Sequence, residues 1–89
     1  MPAIDLDLLA RLPLRRIDSV TFYKIGEVTT DLICCAVEVD GKVRTFHEDL
    51  DGWDLLLEHL AKLPGFDRNW FAQVSQPPFA TRETVAFRR

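Results

Sequence analysis

The sequence predicts one α+β domain, in which a mainly antiparallel sheet of about four strands carries one long and one short helix on one face. Three observations lead to this class. Strand-like segments flank the dipeptide Asp40-Gly41, which is typical of a β-hairpin turn. A helical stripe of apolar residues follows, and the chain ends in the strand-like segment Thr84–Phe87. The expected order is β-β-β-α-α-β.

Chain length and composition favour a single folded unit over residues 1–89. A chain of 89 residues can build one hydrophobic core but not two. Its 47% hydrophobic and 28% charged residues are typical of a globular protein rather than a disordered one. Because burial stabilises so small a domain only modestly, self-association is a reasonable supplement. A homodimer and a protein partner are therefore both open.

Charge, hydropathy and cysteine spacing limit the kinds of partner and the cellular locations that remain open. The formal net charge of −3 leaves no excess of Lys and Arg to neutralise phosphates, so a nucleic-acid partner is not expected. No run approaches the about eighteen apolar residues of a membrane span, and the start lacks a signal-peptide pattern. Cys34 and Cys35 are adjacent, so a strand would point them to opposite faces as reduced thiols. We expect a cytoplasmic protein without cofactor, metal or membrane contact.

Residues 1–14 are predicted to form a short helix or an arm. Leu8, Leu9 and Leu12 lie at helical spacing, and aspartates near the start suit a helix N-terminus. Pro13 would end this helix.

The first strand is expected between Arg15 and Gly26, where β-branched and aromatic residues become frequent. Alternation places Val20 and Phe22 on one face, and Ile17 and Tyr23 on the other.

The second strand, Asp31–Asp40, is apolar on both faces, which predicts a central strand covered on both sides. Asp40-Gly41 then connects it to a third strand, Lys42–Phe46. Both turn residues tolerate positive φ, so these two strands are expected to pair antiparallel.

The longer helix is predicted over Asp51–Leu63, with Asp51 as a possible N-cap. Its apolar residues form one stripe that would cover the sheet. The stripe consists of Trp53, Leu56, Leu57, Leu60 and Leu63.

A second, shorter helix follows Leu63-Pro64-Gly65. Asp67 can cap it, and Trp70, Phe71 and Val74 are expected to point toward the core. The last strand then returns to an edge of the sheet, where Arg88 discourages further strand pairing.

The densest polar cluster follows the third strand and precedes the longer helix. We regard His47, Glu48 and Trp53 as ligand-binding candidates, because polar groups there could converge on an apolar wall. Helix capping and solvation are the alternative for the acidic side chains, which are Asp49, Asp51 and Asp54. The spacing matches no zinc or hard-metal motif.

No catalytic constellation is visible in the chain. His59 lies one position from the leucine stripe and most simply covers the rim of the core. A cysteine in an apolar strand is usually inert packing. There is no phosphate-binding loop and no Gly-x-Ser-x-Gly motif, so we expect a protein that is not an enzyme.

The aromatic residues around the shorter helix are the interaction candidates. Phe66, Trp70 and Phe79 would form a protein-binding anchor if they stay exposed, although most such residues pack in a core. Arg82, Arg88 and Arg89 could join Arg15 and Arg16 in an anion-binding edge if the last strand lies beside the first. Scattered, solvated arginines are the alternative.

Several short motifs resemble small uncharacterised bacterial proteins. They are Thr29-Thr30-Asp31-Leu32-Ile33-Cys34-Cys35, Gly52-Trp53, Leu63-Pro64-Gly65-Phe66 and Pro77-Pro78-Phe79. The resemblance implies a bacterial cytoplasmic origin and a compact α+β domain, and it implies no catalytic residues. With the missing catalytic motifs, it favours a non-catalytic protein-interaction or regulatory module. The alternative function is binding of a small ligand near His47, Glu48 and Trp53.

Overall fold

The computed structural model describes residues 3–26, 31–75 and 83–89. Four strands form one antiparallel sheet in the order β3-β2-β1-β4, which confirms the predicted α+β class. No helix within the described ranges has the length and apolar character needed to cross a bilayer. In chain order, the elements are α1 (Leu6–Ala10), a 3-10 turn (Leu14–Arg16), β1 (Ile17–Gly26), β2 (Asp31–Val39), β3 (Lys42–His47), α2 (Trp53–Leu60), α3 (Trp70–Ser75) and β4 (Glu83–Arg88).

The β2–β3 hairpin forms where the sequence predicts it. Asp40 and Gly41 have φ angles of 53° and 80°, as a two-residue hairpin turn with positive φ requires. Val39 pairs with Lys42 directly next to the turn. The pattern could predict this pairing because the turn residues alone fix the register.

The prediction of which side chains of β1 point to the core is wrong for one residue. Ile17 was expected opposite Val20 and Phe22, yet all three are fully buried in the same core. The pairing of β1 with β2 shifts register between Ile17 and Ser19, so Asp18 is inserted as a bulge. An inserted residue reverses the alternation, and this returns Ile17 to the core face.

All the helical cover in the described residues lies on one face of the sheet. Ile33, Cys35 and Val37 of β2 share the core cluster with Leu56 and other residues of the helices. The alternate residues of β2 are absent from that cluster. The expectation that β2 is covered on both faces is therefore wrong: β2 is an inner strand, but its second face carries no helix in the described part of the chain.

Phe22 lies at the centre of the core. Its ring stacks on Trp70 at a centroid distance of 3.7 Å and an interplanar angle of 9°. Trp53 and Phe66 approach the same ring edge-on, at 6.4 and 6.3 Å. One strand residue thus joins the start of α2, the loop after α2 and the start of α3.

The longer helix begins later and ends earlier than the sequence predicts. Gly52, with a φ of 87°, is the N-cap of α2 in place of Asp51. The backbone carbonyl of Asp51 instead accepts a 2.7 Å hydrogen bond from the N–H of Ile4. This contact ties the N-terminal segment to the helix start, and it requires a backbone turn that only glycine adopts readily.

The shorter helix has the predicted cap, but one of its side chains points outward. Asp67 accepts hydrogen bonds from the backbone N–H of Asn69 at 2.9 Å and the side-chain amide of Gln73 at 2.7 Å. Trp70 is buried as expected, whereas Phe71 is 56% exposed. Phe71 follows Trp70 directly, and adjacent helical positions point about 100° apart, so it cannot share the core face.

Candidate functional site

The sheet face opposite the helices is the most extensive candidate surface in the described residues, and we call it the open face. Strand register places its side chains in rows across the sheet. Its described members are Ser19, Thr21, Tyr23, Ile25, Leu32, Cys34, Ala36, Glu38, Val43, Thr45, His47, Glu83, Val85 and Arg88.

Three aliphatic side chains of the open face are exposed to solvent. Val43 is 60% exposed, Ile25 44% and Val85 42%. They lie on three different strands, β3, β1 and β4, and in three different rows of the sheet. Several exposed apolar side chains on one sheet face that no described helix covers favour an interaction site.

The charges of the open face lie at its ends. Glu83 and Arg88 are exposed at opposite ends of β4, where Glu83 pairs with Tyr23 and Arg88 pairs with Ser19. Glu38 accepts a 3.3 Å hydrogen bond from the hydroxyl of Ser19. Between the rows that hold these charges lies one uncharged row, in which Thr45, Ala36, Thr21 and Val85 are neighbours. Val43 lies in the same row as Glu38 and Arg88, and Ile25 lies beyond the row of Glu83.

Tyr23 and Cys34 lie in the same row of the open face as Glu83. The two residues are direct cross-strand partners. Burial raises the pKa of the Tyr23 hydroxyl, and the neighbouring Cys34 raises it further. Tyr23 therefore stays uncharged at neutral pH.

The two cysteines lie on opposite faces of β2, and both are buried and form no disulfide. Cys35 lies in the core between Phe22 and Phe46 in the strand register. Burial raises the pKa of its thiol strongly, with a smaller contribution from Cys34. A thiol held in the protonated form is a poor nucleophile.

We expect both thiols of the folded protein to react slowly with the disulfide reagent DTNB. Each must wait for a local or global opening, so the rate should be at least about 100-fold lower than in urea. The measurement is the time course of thiol release in buffer and in denaturant, with two thiols per chain as the end point. One thiol reacting rapidly in buffer would contradict the placement of that cysteine.

Glu48 and Trp53 are not among the described residues that line the cavity beside His47. Glu48 pairs with Ile33 instead: its carboxylate accepts from the Ile33 N–H at 3.0 Å, and its own N–H donates to the Ile33 carbonyl at 3.0 Å. Trp53 packs edge-on against Phe22. Glu48 thus extends the β2–β3 ladder, and Trp53 belongs to the core.

His47 does line a cavity, at the edge of β3. The cavity has a volume of about 340 Å³. The Nδ1 atom of His47 is buried and has no hydrogen-bond partner among the described residues. The other lining residues are mostly apolar: Ala3, Ile4, Leu8, Thr45, Phe46 and Leu50.

The predicted aromatic anchors are mainly structural. Trp70 is buried against Phe22, and Phe66 is half-buried against the same ring. Phe79 lies outside the described residues. The exposed valines of the open face were not singled out from the sequence; period-2 alternation across Val43 and Val85 was the signal that could have found them.

The remaining polar candidates have structural roles or remain at the surface. Asp49 and Asp51 are exposed, and Asp54 lies in the first turn of α2, where the helix dipole favours a carboxylate. A ring nitrogen of His59 lies 2.7 Å from the carbonyl oxygen of Leu12, so this histidine joins α2 to the segment after α1. Within the described ranges, no three His, Cys, Asp or Glu side chains are grouped as metal ligands.

The predicted neighbourhood of the arginines is partly formed, and Arg82 lies outside the described residues. β4 does lie beside β1, and the guanidinium of Arg89 donates to the carbonyls of Ile17 at 2.8 Å and Leu14 at 3.0 Å. Arg89 therefore fastens the C-terminus to the start of β1. Comparison with known proteins adds no function to these surfaces: no family model, curated protein or solved structure matches the chain.

Proposed function

We propose that the chain is a non-catalytic interaction module that forms a homodimer through its open face. The observation that carries the proposal is the exposure of Val43, Ile25 and Val85 on one uncovered sheet face. Removing the exposed half of each of these side chains from water contributes roughly 1 kcal/mol per residue and per copy to the free energy of dimerisation. A small domain with a modest core gains most from such burial.

Face-to-face packing of two sheets is the geometry that suits this surface. Stacked sheets lie about 10 Å apart, and their side chains interdigitate. A two-fold axis that lies between the two sheets and runs perpendicular to the strands places β4 of one copy over β4 of the other. The two β4 strands then run in opposite directions. Glu83 of each copy then lies opposite Arg88 of the other, so the pair of charges is satisfied twice.

This charge arrangement favours a second copy over an unrelated protein. A partner of another kind would have to supply one acidic and one basic group at about 13 Å spacing, the length of the four β1 residues between the pairing partners of Glu83 and Arg88. A second copy supplies them automatically. Opposite charges at an interface mainly set orientation and specificity, while burial of the exposed aliphatic side chains supplies most of the affinity.

A charge exchange on β4 tests the proposed pairing. We expect Glu83→Arg to weaken the dimer at least about tenfold, because it places two cations opposite each other twice. Combining Glu83→Arg with Arg88→Glu restores the complementarity and should recover most of the affinity. The measurement is the dimer dissociation constant by sedimentation equilibrium.

Glu58→Arg is the matched control for this experiment. Glu58 is exposed on α2, on the other side of the sheet, so the same change of charge should leave dimerisation unaltered. The proposal fails if Glu83→Arg and Glu58→Arg behave alike, or if the double exchange is weaker than the single one.

The cytoplasmic location belongs to the same proposal. Its support is that Cys34 and Cys35 point to opposite faces of β2 and cannot form a disulfide with each other, which suits a reducing compartment. The bacterial origin implied by the sequence motifs stays a prediction. The alternative function is ligand binding near His47, and its support is the cavity that His47 lines without Glu48 or Trp53.

A further inference from the structure

Positive charge is concentrated at one end of the sheet. Antiparallel pairing brings the start of β1, the β2–β3 turn and the end of β4 to this end. Three carboxylates lie there, those of Asp18, Glu38 and Asp40, so the end is basic although the chain is acidic overall. Seven of the eleven Lys and Arg residues lie there: Arg11, Arg15, Arg16, Lys42, Arg44, Arg88 and Arg89.

A cleft at this end collects three of the cations. It has a volume of about 200 Å³, and Arg11, Lys42 and Arg44 line it together with Val39 and Asp40. Lys42 and Arg44 are two residues apart on β3, so they point to the same side of the sheet. Arg11 approaches them from the C-terminal end of α1. We call this site the basic cleft.

The positive charge of the basic cleft is uncompensated. Its single carboxylate, Asp40, forms a 2.8 Å ion pair with Arg16. Within the described residues, no hydrogen bond or ion pair engages the side chains of Arg11, Lys42 and Arg44. Three like charges around one cleft repel each other, so a bound anion would lower the energy of the arrangement.

We propose that the basic cleft binds the phosphate group of a small phosphomonoester. A dianionic phosphate matches three cations better than a singly charged carboxylate does, and guanidinium groups bind phosphate oxygens in pairs. Val39 offers an apolar wall for the carbon part of the ligand. The cleft volume accommodates one phosphate with a small organic group rather than a polymer.

This site is independent of the proposed dimer. Lys42 and Arg44 lie on the helix side of β3, whereas Val43 between them lies on the open face. Loss of one function therefore leaves the other intact.

The test is an NMR titration of the ¹⁵N-labelled full chain with phenyl phosphate, inorganic phosphate and dimethyl phosphate. We expect saturable shifts confined to the amides around Arg11 and Lys42–Arg44. Phenyl phosphate should bind more tightly than inorganic phosphate because of Val39, and the monoanionic diester at least about tenfold more weakly than either. Binding should strengthen as pH rises through about 6, where a phosphomonoester loses its second proton.

Paired variants separate the cleft from general positive charge. Lys42→Gln with Arg44→Gln should reduce the affinity for phenyl phosphate at least about tenfold. The double variant Lys62→Gln with Arg68→Gln removes the same amount of charge from exposed positions elsewhere, and it should leave the affinity for phenyl phosphate unchanged. If the first double variant does not fold, Arg11→Gln replaces it.

Three results would overturn the proposal. They are amide shifts that grow linearly with ligand concentration without saturation, an equal loss of affinity for phenyl phosphate in both double variants, and equal binding of dimethyl phosphate and phenyl phosphate. The first two identify general ionic attraction, and the third indicates a phosphodiester backbone as the ligand. In each case the dimer dissociation constant of the same samples reports separately on the open face.

Discussion

Phe22→Ala is expected to lower the free energy of unfolding by about 4 kcal/mol, the upper part of the range for removing a buried aromatic ring. Phe22 is fully buried and touches three other rings, one of them stacked at 3.7 Å. The change leaves a cavity between the sheet and both α2 and α3. A chain of this length has roughly 4–13 kcal/mol of stability in total, so the loss is a large fraction of it.

Phe71→Ala is the matched control for this prediction. Phe71 is the same residue type on α3, but it is 56% exposed and meets only the edge of Trp70, at 5.7 Å. We expect a loss below about 1 kcal/mol. The measurement is urea unfolding of both variants, followed by circular dichroism and tryptophan fluorescence. Similar losses in the two variants would show that Phe22 is not the centre of the core.

Gly52→Ala is expected to cost about 3–5 kcal/mol, which combines strain at positive φ with the loss of an attached segment. Gly52 has a φ of 87°, and an added Cβ would lie 1.9 Å from the carbonyl oxygen of Ile4. The N-terminal segment must then move away. That movement breaks the hydrogen bond from Ile4 to Asp51 and exposes the Ile4 side chain, which is otherwise buried.

Gly65→Ala separates the two contributions. Gly65 has a similar φ of 74°, but an added Cβ would meet no atom within 4 Å. Only the backbone strain remains, which costs roughly 1–2 kcal/mol. Thermal or urea unfolding of both variants gives the comparison. Equal losses would mean that Ile4 does not pack against Gly52.

Local signals in the sequence were sufficient for most of the fold. Asp40-Gly41 defines the hairpin because both residues accept positive φ, and the leucine stripe defines α2 because helical spacing collects Leu56 and Leu60 on one side. Asp67 caps the next helical segment through its side chain, as a short-range pattern can predict. Each of these features depends on residues that are close in the chain.

The errors arise where distant contacts decide. The bulge at Asp18 depends on pairing with β2, so alternation within β1 alone places Ile17 on the wrong face. The start of α2 depends on the hydrogen bond between Ile4 and Asp51, some 47 residues apart, which favours Gly52 over an aspartate cap. Pairing of β2 with β3 likewise places one oxygen of the Glu48 carboxylate on the N–H of Ile33, a contact between residues 15 positions apart in the chain.

The candidate surfaces were less predictable than the fold. An apolar residue in a strand is equally consistent with the core and with an exposed face, and only the position of the helices shows that Val43 and Val85 are uncovered. The basic cleft depends on the approach of Arg11 to β3, which no spacing within the chain reveals.

The most direct test of the central claim is the solution mass of the unmodified chain by light scattering across a dilution series. Dimerisation through the open face predicts twice the chain mass of 10.2 kDa at high concentration, falling toward the monomer on dilution. In the Glu83→Arg variant, the solution mass should fall toward that of the monomer at a higher concentration than in the unmodified chain. A mass of one chain throughout the series, from about 1 mM downward, would contradict the proposal that a second copy covers this face.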